Sequence, residues 1–180
     1  RRGANMGILR IDHPDILEFI ALKQTPAEMT NFNLSVGITD SFMQALAHGR
    51  TYALINPHTN KRTQQLSAQL LFDRLVEAAW TSGEPGLVFL DTINRSNPTP
   101  HLGSIESTNP CGEQPLLAYE SCTLGSINVA NFIAQTDTGP SIDFARLAGR
   151  IALAVRFLDN VIDRGRLPLP QIDRMTKQTR

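Results

Sequence analysis

Phe32-Asn33-Leu34-Ser35-Val36-Gly37-Ile38 alternates apolar with small or polar residues and runs straight into Thr39-Asp40, a pair suited to capping a helix. A period of two marks a strand that buries one face. Phe42, Met43 and Leu46 then recur at helical spacing until Gly49 stops the pattern. The same succession of strand and helix appears on both sides of this unit. Upstream, a glycine-punctuated loop over 2–7 leads into a short apolar run at 8–11. Asp12-His13-Pro14 then offers an N-cap with proline in the first turn, and Ile16, Leu17 and Ile20 follow at helical spacing, predicting a helix over 14–24. Downstream, stretches 52–55 and 62–66 flank the turn-rich 56–61 and predict a hairpin. Ser67 opens a helix with Leu71, Leu75 and Ala78 on one face, and Ser82-Gly83 closes it. Leu87-Val88-Phe89-Leu90 is a continuous apolar run, as in strands buried on both faces. Alternating strands and helices predict an α/β fold with a largely parallel sheet. Three or four strands are too few to close a barrel, so flanking chain is expected to complete it.

Beyond residue 90 the pattern changes. Residues 91–119 lack periodicity and contain Asn97-Pro98-Thr99-Pro100 and Asn109-Pro110-Cys111-Gly112-Glu113, which predicts an ordered functional loop. Cys122 to Val129 reads as a strand with Leu124, Ile127 and Val129 to bury. The longest helix is expected over about 141–163, with Leu147, Ile151, Val155, Leu158 and Ile162 as its apolar stripe and Gly165 and Pro168 beyond its end. Trp80 is expected to pack rather than to stack on a base.

A chain of 180 residues is the size of one domain, and 41% hydrophobic with 19% charged residues is a globular balance. Lys and Arg total 17, as do Asp and Glu, so the net charge is zero. That excludes a generic basic nucleic-acid binder and an acidic tail, while leaving room for a local cationic pocket. No apolar run is long enough for a membrane span, and no signal peptide is visible. The opening Arg1-Arg2-Gly3-Ala4, without an initiator Met, is expected of an internal piece of a longer protein. Two cysteines outside any C-x-x-C pair and four scattered histidines predict neither a disulfide scaffold nor a protein metal site.

The densest chemical signal is Asn109-x-Cys111-x-Glu113. In an extended loop, alternate residues point the same way and would bring an amide, a thiol and a carboxylate to one face. A neighbouring carboxylate disfavours a thiolate, which counts against a cysteine-protease reading and is compatible with a sulfur that gives up a hydrogen atom. The plain alternative is a turn with a buried cysteine and an incidental glutamate. Cys122 reads either as a buried core thiol or as half of a redox pair. Arg2-Gly3-Ala4 either presents a guanidinium and permissive backbone to an anion or is a solvated loop. Neither a G-x-G-x-x-G nor a Walker pattern is present.

The run TNPCGEQPLLAYESCTLGSIN, Thr108 to Asn128, resembles the active-site finger loop and following strand of ribonucleotide reductase large subunits, most of all those of the adenosylcobalamin-dependent class II. RRGANMGILRIDHPDILEFI, FLDTINRSNPTPHLG and LAVRFLDNVID resemble other parts of the same family in the same order. The resemblance is collinear over essentially the whole chain. It implies that 1–180 is part of a catalytic barrel, incomplete at both ends: a ten-stranded α/β barrel of two five-stranded parallel halves with the finger loop through its centre. It implies reduction of ribonucleoside di- or triphosphates to deoxyribonucleotides, in the cytoplasm, for DNA synthesis.

By motif position, Cys111 matches the thiyl-radical cysteine, Glu113 the general base on the ribose 3′-hydroxyl and Asn109 the amide that binds the ribose hydroxyls. Pro110 and Gly112 share that substrate-binding loop. Cys122 matches one member of the reducing dithiol, whose partner cysteine lies outside this sequence. Arg2 matches a loop arginine that couples effector identity to substrate choice. The implied cofactor is adenosylcobalamin, bound largely by other parts of the protein. The implied partners are a nucleotide effector, a thioredoxin or glutaredoxin-like reductant and a second copy in a homodimer, with no nucleic acid and no membrane. A class I enzyme with a metal-bearing small subunit is the nearest alternative, and a non-enzymatic interaction module is the alternative from another class.

Overall fold

The structure, a computed structural model, describes residues 3–24 and 29–180. It divides into two compact units, Arg1–Ala118 and Tyr119–Arg180. In the first, β1 (Asn5–Arg10), β2 (Phe32–Ile38) and β5 (Gly86–Phe89) form a parallel sheet in the order β1-β2-β5, with Gly7 opposite Leu34 and Gly37 opposite Val88. Helices α1 (Ile16–Ala21), α2 (Asp40–Ala47) and α3 (Ala68–Ser82) supply the apolar cover. Val36 and Ile38 of β2 meet Ile16 and Ile20 of α1, Phe42 of α2, and Leu71, Leu75 and Ala78 of α3 in one buried cluster. The parallel α/β reading of the sequence is therefore correct for this unit.

The predicted cap of α2 is Thr39, whose Oγ1 accepts from the Phe42 amide at 3.2 Å. Ser67 caps α3 in the same way through the Leu70 amide, and Gly83 ends it in the left-handed region at φ +82°. The predicted hairpin is β3 (Thr51–Ile55) against β4 (Arg62–Ser67), antiparallel, turned by Asn56, whose Oδ1 accepts from the His58 and Thr59 amides.

Several expectations are corrected. Asn5, Met6 and Gly7 belong to β1 rather than to a loop, because they pair along Phe32 to Leu34. The first helix spans only Ile16–Ala21, and Asp12 does not cap it. Its carboxylate is taken by Arg10, through Nε at 3.0 Å and Nη2 at 2.8 Å, an interaction that raises the arginine's pKa. The apolar run 87–90 is not a strand buried on both faces. β5 pairs with β2 alone among the described residues, so only Val88 is buried within it, and Leu90 begins a helix, α4 (Leu90–Arg95). Burial on both faces belongs to β2, where Ser35 and Gly37 are covered as well as Leu34, Val36 and Ile38. Met43, counted at helical spacing with Phe42 and Leu46, is exposed, and Trp80 is 88% exposed rather than packed.

Gly37 shows why the second face of β2 is closed. A Cβ there would lie 2.6 Å from Cδ1 of the buried Leu90, so α4 packs where only glycine leaves room. Gly37→Ala in the full-length protein is expected to cost about 1–3 kcal/mol, the range for overpacking a filled site. Urea unfolding with an unchanged midpoint would contradict this packing.

The second unit holds a 3₁₀ turn (Val129–Phe132), a hairpin of β8 (Ile133–Thr136) and β9 (Gly139–Ile142), and helices α5 (Phe144–Arg164) and α6 (Pro170–Thr179). The strand expected over 122–129 is absent: 121–128 has no strand partner among the described residues, and Leu124 and Val129 are exposed. The long helix starts three residues later than expected because β9 and Asp143, its N-cap, occupy the preceding positions. Its stripe residues Leu147, Leu158 and Ile162 are half-buried, while Ile151 and Val155 are exposed, and nothing on α5 is buried in this unit.

Candidate active site

Asn109, Pro110, Cys111, Gly112 and Glu113 lie on the connection of a very short antiparallel hairpin, β6 (Ser107–Thr108) and β7 (Pro115–Leu116), in the first unit. The loop is a turn, not the extended segment assumed from the spacing. Gly112 adopts φ +85°, a left-handed conformation natural to glycine, and its amide donates to the Asn109 carbonyl at 3.0 Å. The Asn109 side chain holds the turn from inside, since its Oδ1 accepts from the Gly112 and Gln114 amides, each at 3.1 Å. The Asn109 amide donates to the Gln114 carbonyl at 3.1 Å. Buried Thr108 adds a bond from Oγ1 to the Asn109 carbonyl at 2.9 Å.

This turn separates the three residues by role. Cys111 and Glu113 are exposed, whereas Asn109 is half-buried and commits its oxygen to the backbone. What Asn109 has left to offer a ligand is the Nδ2 amino group, a donor. The alternative of a turn around a buried cysteine fails on exposure, since the Cys111 thiol stands outward. The arrangement offers a hydrogen-atom or proton donor, a carboxylate acceptor and an amide donor on five consecutive residues. Chemistry that needs a thiol and a carboxylate at one small polar molecule is within its means.

The other predicted residues are elsewhere. Cys122 lies in the second unit, exposed, on the irregular stretch that follows Ser121. Ser121 Oγ shares a 2.7 Å hydrogen bond with Thr176 Oγ1 of α6, and a Cβ on Gly125 would sit 3.4 Å from Leu158 of α5, so this stretch is laid along both helices of its unit. A buried core thiol is therefore not what Cys122 is. Arg2 lies outside the described residues. Among the described residues no three His, Cys, Asp or Glu side chains group as a metal site, and no helix is long and apolar enough to cross a membrane.

Two residues that sequence reasoning passes over touch the hairpin. Asn33 of β2 donates from Nδ2 to the Pro110 carbonyl at 2.5 Å, and Asn94 of α4 bonds both the amide and the carbonyl of Ile105, just before β6. An asparagine on a strand and one on a helix carry no sequence signal for such a contact, because only the tertiary arrangement brings the hairpin to them.

The first unit thus combines a parallel α/β sheet with a hairpin that exposes a cysteine and a glutamate. The profile of the ribonucleotide reductase barrel domain matches residues 1–180, and the chain belongs to that family. It is 50% identical, over its entire length, to the vitamin B12-dependent ribonucleoside-diphosphate reductase of Thermoplasma acidophilum, of which it covers 23%. The enzyme of the same name from Mycobacterium tuberculosis is also 50% identical over the whole chain, which covers 26% of it. A putative ribonucleoside-diphosphate reductase large subunit of Frog virus 3 is 32% identical over 90% of the chain and 29% of that protein. The chain thus spans about a quarter of the length of the curated relatives it matches.

Proposed function

We propose that this chain is the part of a class II ribonucleotide reductase that carries the radical cysteine, and that the whole protein reduces ribonucleotides to deoxyribonucleotides. The observation that carries the reading is the hairpin tip: an exposed thiol and an exposed carboxylate two residues apart, on a turn held by an asparagine with its amide donor to spare. The names of the relatives that match over the whole chain favour vitamin B12 dependence over a class I enzyme. The three parallel strands would then belong to a ten-stranded barrel with this hairpin as its finger loop, and the domain would continue at both ends.

Adenosylcobalamin, when bound, supplies a carbon-centred radical that takes a hydrogen atom. The exposed thiol of Cys111 fits that chemistry. The Cys111 sulfur, once a thiyl, takes the hydrogen from the ribose 3′-carbon. Glu113 takes the 3′-hydroxyl proton, and the 2′-hydroxyl leaves as water. Nδ2 of Asn109 holds the ribose so that one hydrogen faces the sulfur. Two electrons and two protons come from a dithiol, Cys122 with a cysteine outside this sequence, which closes to a disulfide. Cys111 finally returns its hydrogen to the 3′-carbon, and Glu113 returns its proton to the 3′-oxygen. A thioredoxin or glutaredoxin-like protein would reopen the disulfide, and Arg2 would relay the effector signal. A di- or triphosphate serves this chemistry equally, and a homodimer in the cytoplasm is its expected setting.

Full-length protein assayed with ribonucleotide and dithiol tests the reading. Activity with adenosylcobalamin alone supports it. Activity restored only by a metal-bearing second subunit would make the enzyme class I, and activity with neither would leave an interaction module. Within the site, Asn109→Asp separates turn from ligand: a carboxylate caps the same two amides but cannot donate. The expected result is an unchanged melting temperature with kcat/KM lowered roughly 10- to 100-fold, as for loss of one ligand hydrogen bond with a repulsive replacement. Wild-type kcat/KM in this variant would remove Asn109 from substrate binding.

A further inference from the structure

The hairpin that exposes Cys111 has little of its own to hold it in place. Its ladder is two residue pairs, Ser107 with Leu116 and Thr108 with Pro115, far below what keeps an isolated hairpin ordered. The bonds from Asn109 fix the shape of the turn but not its position in the domain. Position comes from outside: β6 lies against β1, and two asparagine side chains add directed bonds from β2 and α4. At the root, Asn94 treats Ile105 as a strand neighbour would: Nδ2 donates to the Ile105 carbonyl at 2.8 Å, and Oδ1 accepts from the Ile105 amide at 2.8 Å. The second hydrogen on Nδ2 goes back to the Leu90 carbonyl at 2.9 Å, so both donors of the side chain are engaged. Ile105 itself is buried, 6% exposed. At the tip, Nδ2 of Asn33 donates to the carbonyl of Pro110, the residue before Cys111, at 2.5 Å.

Both holds lead to the same element. Asn33 is in β2, and α4, which carries Asn94, is pressed onto β2 where Leu90 packs over Gly37. β2 is also the central strand of the sheet, buried on both faces for most of its length. We infer that Asn33 and Asn94 are positioning residues that reference the Cys111 turn to β2, one at each end of the hairpin. Neither touches reacting atoms in this role. Their effect on turnover rests on the reading of Cys111 as the radical cysteine, whereas their effect on the hairpin does not. Hydrogen transfer falls off steeply with misplacement, and an error of about 1 Å in a reacting group costs on the order of 100-fold.

Full-length Asn33→Ala and Asn94→Asp variants test this by two readouts. Asn94→Asp keeps the shape and the acceptor for the Ile105 amide while removing both donations, so a space-filling role would survive it. Hydrogen exchange in peptides covering 105–116 should be about five-fold faster or more in each variant, with β1 and α3 exchanging as in wild type. Steady-state kcat should fall about 10- to 100-fold with the nucleotide KM within about three-fold of wild type. Unchanged exchange across 105–116 in both variants overturns the inference, as does wild-type kcat in both. Should Asn94→Asp fail to fold, Asn33→Ala, on an exposed position of β2, decides by the same two criteria. A wild-type protein without reductase activity would refute the radical reading instead, and the exchange measurement would still decide whether the two asparagines hold the hairpin.

Discussion

Cys111→Ser in the full-length protein should abolish deoxyribonucleotide formation, lowering kcat by roughly 10⁴-fold or more, the scale seen when the reacting atom of a coupled set is removed. Serine is the same shape within a fraction of an ångström, and the side chain it replaces is exposed and outside the hydrogen bonds of the turn. Stability should therefore move by no more than about 0.5 kcal/mol. Nucleotide binding should be nearly intact, because the amide of Asn109 and the carboxylate of Glu113 remain. The chemistry is what fails. A hydroxyl holds its hydrogen too tightly to exchange it with a ribose carbon, so neither abstraction nor return can occur. Equilibrium binding of nucleotide together with a turnover assay checks both halves. Ordinary multiple turnover in this variant would sink the radical assignment.

Cys122→Ser should fail later in the reaction. Cys122 belongs to a different compact unit from Cys111 and lies outside the hairpin, so abstraction by Cys111 is expected to proceed. Without a second sulfur no disulfide can form, and the two electrons needed to replace the 2′-hydroxyl are not delivered. Activated substrate should then decay with release of free base, and deoxyribonucleotide should not accumulate over repeated turnovers. Product analysis separates this from Cys111→Ser, in which substrate should be recovered unchanged. A Cys122→Ser enzyme that turns over at the wild-type rate with dithiothreitol would remove this cysteine from the mechanism.

The parts of the fold that a reader of the sequence can recover are those in which local pattern and tertiary environment agree. β2 alternates, its cap is a threonine, and α3 runs between Ser67 and Gly83, so each boundary has a chemical marker. The stretch 122–129 has the alternation of a strand but no neighbour to pair with among the described residues, and Asn128 instead caps a 3₁₀ turn through the Ala130 amide. β8 and β9 are short and polar, which hides them from a hydrophobic pattern, although Asp137-Thr138-Gly139 is a turn signal. Pro170 at the first turn of α6 is likewise a marker that the reading omits. At the site, the motif spacing locates the residues but misjudges their geometry. Alternation would put Asn109, Cys111 and Glu113 on one face, whereas the left-handed Gly112 folds the backbone so that Asn109 serves the turn while Cys111 and Glu113 stand outward. The contacts of Asn33 and Asn94 lie beyond any local pattern, because each joins residues eleven or more positions apart.

Electron paramagnetic resonance tests the central claim most directly. Full-length protein is mixed with adenosylcobalamin, nucleotide and dithiol and frozen within the first turnovers, once with ordinary cysteine and once with cysteine deuterated at the β-carbon. A sulfur-centred radical on Cys111 predicts a signal that narrows on deuteration and vanishes in Cys111→Ser. A signal indifferent to the deuterium label, or one that persists in Cys111→Ser, would contradict the assignment of the radical to this thiol.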